Sequence, residues 1–178
     1  MAACGQRLQF LAAVHKQVGP HMPPFQGFAP LQCPADLLSK LAHDIERIRK
    51  DPIDTYAAFD FFVTAEHLVD WLLPDRPGTS QSALRKAKRD SSELLRITSH
   101  LANGAKHFQA LARQHDSVAG LTEQRGGFDP RAFSPRAFSP AAFKMHGMNV
   151  HLEDGRVLHV LTLAEDVLSY WNAELLPK

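Results

Sequence analysis

Two stretches of this chain hold polar side chains in matching arrays. In FDFFVTAEHLVDWLL, Asp60, Thr64, His67 and Trp71 follow one another at steps of four, three and four. In RITSHLANGAKHF, Arg96, His100, Asn103 and His107 repeat those steps. At helical periodicity each quartet falls within about 60° of arc, so two helices would each carry one narrow line of hydrogen-bonding groups. Facing each other, the lines would form a polar seam. An Asp–His pair there would fix an imidazole tautomer and raise its basicity, as general acid–base chemistry needs. His107 or His100 would then act as base or acid, Arg96 and Lys106 would stabilise phosphate charge, and Asn103 would orient a substrate. His67, Asp60, Asp70 and Trp71 would form the binding side of the seam. A divalent metal held by His67, Asp70 and His107 is a further reading, although the paired Glu-x-x-His motifs of di-iron bundles are missing. The plainer alternative is that Arg96, His100, Asn103, Lys106 and His107 are the solvated face of an amphipathic helix.

The elements that would position these residues follow from periodicity and breakers. Leu37, Leu38, Leu41, Ile45 and Ile48 recur at helical spacing over 35–50, ended by Asp51-Pro52. A second helix over 54–73 is apolar almost all round and stops at Pro74, as a central helix would. Its second polar track, Glu66 and Asp70, competes with the histidine line for whatever lies beside it. A Pro-, Gly- and Ser-rich loop over 75–81 leads to the basic cluster Arg85, Lys86, Lys88 and Arg89. No aromatics are interleaved there, so it lacks a base-stacking platform. Four cations on a loop or helix start could contact phosphates, but the favoured reading is a solvated face. A third helix over 91–111, beginning earlier if it includes the basic stretch, has Leu94, Ile97, Leu101, Ala105 and Phe108 as its core face. Gly104 inside it points to a close helix–helix approach.

Residues 114–144 read as irregular. They contain the repeat Pro130-Arg-Ala-Phe-Ser134, Pro135-Arg-Ala-Phe-Ser139, Pro140-Ala-Ala-Phe143, whose prolines forbid a helix. The repeat either packs on its own domain or offers Phe133, Phe138 and Phe143 to a protein partner or a second copy of the chain. Beyond it, Met148, Val150 and Leu152 alternate with polar residues, Asp154-Gly155 supplies a two-residue turn, and 157–161 forms the return strand. His151 and His159 then lie on opposite faces. A capping box from Thr162 to Glu165 opens a final helix bearing Val167, Leu168, Trp171 and Leu175. The fold class is therefore mainly α: a helical bundle with a small C-terminal β-hairpin followed by a helix. One domain spans 1–178, with an N-terminal helix and Pro-rich arm over 1–34, the irregular arm over 114–144, and the hairpin plus helix over 145–176.

Composition narrows the function classes. The charges nearly cancel at +1, so global charge offers nothing toward nucleic acid. Cys4 and Cys33 have no ligand spacing and read as free thiols of a reducing compartment. The N-terminal apolar stretch is broken by Gln9 and ends at His15 and Lys16, which suits a short amphipathic helix better than a targeting segment. With no run of membrane-spanning length, the expected location is the cytoplasm, with no membrane partner. No Gly-rich phosphate loop, G-x-S-x-G, H-E-x-x-H or C-x-x-C motif occurs, and no cofactor is expected.

At FFVTAEHLVDW and HLANGAKHF the chain resembles a group of uncharacterised bacterial and phage-associated helical proteins. These combine an A-x-H-x-x-D-W helix with a later N-x-x-K-H helix. The resemblance covers roughly 36–108, plus the C-terminal hairpin and its Trp-bearing helix. It maps the group's signature onto His67, Asp70, Trp71, Asn103, Lys106 and His107, and implies no known activity. More distantly, the layout resembles the HEPN superfamily of helical bundles, many of them metal-independent ribonucleases of defence and toxin–antitoxin systems. That resemblance implies RNA as partner and a role in phage–host conflict. The enzymes of that superfamily place four to six residues between a catalytic Arg and His. Here Arg96 and His100 are separated by only three, which fits a binding-only relative.

Overall fold

The computed structural model describes residues 31–107, 117–128, 143–144 and 146–175. Calls on the N-terminal helix, most of the Pro-rich arm and the pentad repeat fall outside the described residues, as do the side chains of Lys106, His107 and Phe143.

Helix α1 (Pro34–Lys50) opens with proline in its first turn, and the Asp36 carboxylate accepts from the backbone N–H groups of Gln32 (2.8 Å) and Cys33 (2.9 Å). Leu41, Ile45 and Ile48 are fully buried along one face. Residues 51–54 turn the chain into α2 (Thr55–Leu72), capped by Asp54, whose side chain accepts from the Ala57 N–H at 2.9 Å. Phe61, Phe62, Ala65, Leu68 and Val69 make α2 the centre of the core. Arg47 reaches from α1 to Asp60 on α2 at 2.7 Å and to the cap Asp54 at 3.7 Å.

The third helix does not begin through the basic stretch, which forms a helix of its own. α3 (Ser82–Asp90) is the basic stretch, and α4 (Glu93–His107) follows after a break at Ser91-Ser92. Nothing on α3 is buried; ion pairs and hydrogen bonds hold it in place. The Arg85 guanidinium donates to the Leu73 carbonyl at 2.9 Å, satisfying a carbonyl at the end of α2. On α4, Leu95, Ile97, Leu101 and Ala102 are buried while Ala105 is exposed, so the core face is rotated from the expected one. A Cβ at Gly104 would have no neighbour within 4 Å, so that glycine marks no close approach.

Strand β1 (Val118–Gln124) comes from the stretch expected to be irregular. The short pair β2 (Gly127–Phe128) and β3 (Phe143–Lys144) follows, then β4 (Gly147–Leu152) and β5 (Val157–His159). The expected hairpin is thus two strands of a three-stranded antiparallel sheet in the order β1-β4-β5. β1 escaped detection because it is an edge strand whose two large apolar residues, Val118 and Leu121, stand three apart among Ala, Gly, Thr, Glu and Gln and so set up no alternation to read. Met148, Val150 and Leu152 of β4 point into the helices.

The hairpin turn also differs. The Gly155 N–H donates to the Leu152 carbonyl, Leu152 N–H donates to the Arg156 carbonyl, and Gly155 has φ of 86°. This is a three-residue loop closed by a left-handed glycine rather than a two-residue turn. The extra residue shifts the register by one and pairs Asn149 with His159 and His151 with Val157. His151 and His159 therefore share a face, contrary to the sequence reading, because a one-residue slip reverses every side chain. They do different things there. His151 Nε2 meets Thr122 Oγ1 at 2.7 Å, whereas both ring nitrogens of His159 are buried without a partner. The His159 ring sits where a Cβ of residue 147 would be, so any larger residue at Gly147 forces that ring to shift.

Helix α5 (Val160–Leu175) begins immediately after β5, two residues before the expected capping box. Thr162 is exposed within it, and Glu165 pairs with Arg49 of α1 at 2.8 Å instead of capping. Val160, Leu163, Ala164, Val167 and Trp171 complete one core cluster shared by α1, α2, α4, β4 and α5. Trp171 is fully buried, its indole N–H has no acceptor, and Tyr170 packs edge-on against it. Among the described residues no helix is long and apolar enough to cross a membrane. Cys33 is disulfide-bonded rather than a free thiol. Its partner lies outside the described residues, and the thiol argument for a reducing compartment loses its premise.

Candidate functional site

A polar cleft of about 340 Å³ opens between α2, α3 and α4. Helix α3 lines it with Ser82, Lys86, Arg89 and Asp90, whose spacing of four, three and one keeps them on one face. Helix α4 adds Arg96, Ser99 and Asn103, again at helical steps. Helix α2 contributes a single residue, Glu66. This arrangement follows from complementary spacing. Glu66 and Asp70 are four apart on α2, and Arg85 and Arg89 are four apart on α3. Arg89 Nε lies 2.5 Å from Glu66 Oε1 and its Nη2 lies 3.0 Å from Asp70 Oδ1, while Arg85 Nε is 3.5 Å from the same Asp70 oxygen.

Burial sets the electrostatics. The Glu66 side chain is 14 % exposed, and this burial pushes its carboxyl above the ordinary glutamate range. The positive charge of Arg89 and a hydrogen bond from the Ser99 hydroxyl (3.3 Å) pull the other way without overcoming it. For Arg89, burial works against the charge, but Glu66 and Asp70 more than offset it and raise its pKa. The other two cations are loosely committed. Lys86 pairs with Asp90 one turn along the same exposed face, and Arg96 donates to the Asp90 backbone carbonyl at 3.0 Å. Asn103 donates its amide to the Ser99 carbonyl at 2.8 Å and to the Ser99 hydroxyl oxygen at 3.4 Å.

The cleft gathers part of the expected site and leaves the rest elsewhere. Arg96 and Asn103 line it. His100 does not: its Nδ1 accepts the Val118 backbone N–H at 2.9 Å, which puts the ring proton on Nε2 and makes the ring a tie between α4 and β1. From the α2 line, Asp60 turns to Arg47, Thr64 is buried, and Trp71 packs against the core. His67 is largely exposed, with Nδ1 3.6 Å from Asp70. The two quartets therefore do not form one seam among the described residues. Lys106 and His107 continue α4 by one turn beyond Asn103, their side chains outside the described residues.

Glu66 was noted only as part of a second polar track and Lys86 and Arg89 only as part of a basic cluster read as solvated; none was placed in the site, and Ser99 was not noted at all. The signal that could have found them is the matched pair of i,i+4 acids and i,i+4 bases on successive helices. Chemically the cleft sets one ammonium, two guanidiniums, two hydroxyls and an amide against the two carboxylates of Glu66 and Asp90, with no histidine or aromatic ring among its described walls. Among the described residues no three His, Cys, Asp or Glu side chains group closely enough to hold a metal ion. The chain has no significant match to a protein-family model, to a curated protein or to a solved structure.

Proposed function

We propose that this chain is an HEPN-like helical-bundle protein that binds RNA through the α3–α4 cleft. The observation that carries the reading is the convergence of Lys86, Arg89 and Arg96, from two successive helices, on one cleft that also offers Ser82, Ser99 and Asn103. Cations with adjacent neutral donors suit phosphate oxygens, and arginine does so with two parallel bonds. The exposed Lys86–Asp90 pair is worth at most about 1 kcal/mol, so an incoming phosphate displaces it readily. In a cleaving form His107, one turn past Asn103, is the general base or acid, because the Nδ1 of His100 is already committed to Val118.

The test is fluorescence anisotropy with a panel of labelled single-stranded RNAs, at low and moderate salt. Binding that weakens with salt and with Lys86→Ala or Arg96→Ala supports the reading; no binding at low salt overturns it. Incubating the same panel with and without EDTA, alongside His107→Ala, separates cleavage from binding and a metal-dependent activity from a metal-free one.

A second reading, a non-enzymatic protein-interaction module, draws on Tyr56 and Phe59. These lie one turn apart on α2 and are 81 % and 45 % exposed. Deleting 130–139 and measuring solution mass tests whether the phenylalanine repeat contributes to such contacts, including a homodimer.

A further inference from the structure

We infer that the cleft between α3 and α4 is a receptor for a dianionic phosphate monoester, with Glu66 occupying the phosphate position until a ligand arrives. The inference rests on the anion-binding reading of the cleft and specifies its ligand. Three observations lead to it. The first is size: about 340 Å³ holds a phosphate and an attached sugar, but lies at the small end for organic ligands and does not thread a strand. The second is the absence of aromatic rings among the lining residues, so the walls read phosphate rather than base. The third is charge. Lys86, Arg89 and Arg96 face Glu66 and Asp90, while Asp70, outside the lining, is matched by Arg85; this leaves one net positive charge, well matched to a diester. With Glu66 protonated the balance becomes two positive charges, matching a monoester dianion.

Glu66 is the group able to make that change. Burial already disfavours its charge, and it holds the two donors that a phosphate would want most, the Arg89 guanidinium and the Ser99 hydroxyl. The groups facing it are Lys86, Arg89 and Asp90 from α3, Arg96 from α4, and Asp70 from its own helix. On α5, Glu174 is turned to Lys88 instead. A dianion entering this set repels the Glu66 carboxylate and competes for its donors. Taking up one proton relieves both conflicts, and the neutral carboxyl then donates to a phosphate oxygen. Binding is therefore coupled to proton uptake and weakens as pH rises above neutrality. Below about pH 6 the ligand itself loses its second charge, so the tightest binding falls near neutral pH.

The experiment is isothermal titration of the full chain at pH 7.5 in two buffers of different ionisation enthalpy. The probes are inorganic phosphate, a nucleoside 5′-monophosphate, and one RNA oligonucleotide with either a 5′-phosphate or a 5′-hydroxyl end. The expected result is at least about tenfold preference for the phosphorylated end, the equivalent of one charge-assisted bond, with uptake of close to one proton. Glu66→Gln should bind more tightly and without proton uptake, and Lys86→Ala, on an exposed side chain, should weaken binding with the fold intact. Equal binding of both RNA ends, or proton uptake that persists in Glu66→Gln, overturns the inference while leaving RNA binding standing. Proton-linked binding of phosphate or the monophosphate with no RNA affinity keeps the receptor and removes the RNA reading.

Discussion

Replacing Arg89 by Met isolates the electrostatic problem at the base of the cleft. The substitution keeps the aliphatic stem and removes the guanidinium that bonds Glu66 at 2.5 Å and Asp70 at 3.0 Å. Breaking a fully buried pair costs about 3–5 kcal/mol, because one charge is left without a partner, while an exposed pair contributes about 0–1 kcal/mol. Here the two side chains are 14 % and 22 % exposed, and Glu66 keeps only the Ser99 hydroxyl at 3.3 Å. The expected loss at pH 7.5 is therefore about 2–3 kcal/mol. Its pH dependence has a definite sign. The variant lifts the folded-state pKa of Glu66 further above its unfolded value, so the folded state holds a proton that the unfolded chain releases. The destabilisation is thus largest at high pH and shrinks as pH falls toward the range where unfolded glutamates protonate. Urea melts at pH 5.5 and 7.5 measure this, and the loss at pH 7.5 corresponds to a midpoint shift of roughly 1 M. Adding Glu66→Gln should recover most of it, since a neutral amide needs no counter-charge. A loss equal at both pH values, or below about 0.5 kcal/mol at pH 7.5, would refute the account.

Other substitutions test the framework. His100→Ala leaves the Val118 N–H without its acceptor and should cost about 1–2 kcal/mol, with faster hydrogen exchange at Val118 and unchanged RNA affinity. Gly147→Ala drives a methyl into the His159 ring and should destabilise by about 1–3 kcal/mol, read as a lower Tm, with His159→Ala partly restoring it. Asp54→Ala removes the cap of α2 and should cost about 1 kcal/mol by urea melt, while Asp54→Asn should cost much less.

How far the sequence speaks for this protein depends on how locally each feature is determined. α1 and α2 were legible almost to the residue, since a buried face, a cap and a proline at each boundary all lie within a few positions of one another. That the basic stretch is a helix of its own was harder to see, because α3 buries nothing and so leaves no apolar period. β1 was hidden because its partner lies far along the chain, and the register of the hairpin turned on a single loop residue. For the site, Arg96 and Asn103 were found from their own helix. Glu66 was passed over for His67, one residue along, since only the position of α3 decides which track of α2 is covered.

The buried tryptophan in the C-terminal half of α5 has an optical consequence. Trp171 is fully enclosed, with an unbonded indole N–H, while Trp71 is partly open to water. Their emission spectra should therefore separate, with the blue edge belonging to Trp171. The Lys88 ammonium lies 6.0 Å from the Trp171 ring and 5.3 Å from the ring of Tyr170. A positive charge at that range perturbs the indole excited state through the local field. Lys88 lies on the same short helix as Lys86 and Arg89, so any shift of that helix as the cleft fills moves the charge relative to the chromophore. The molecule carries its own dye, placed on the far side of the helix from the ligand, and fluorescence of the unlabelled chain in a Trp71→Phe background would report occupancy of the cleft.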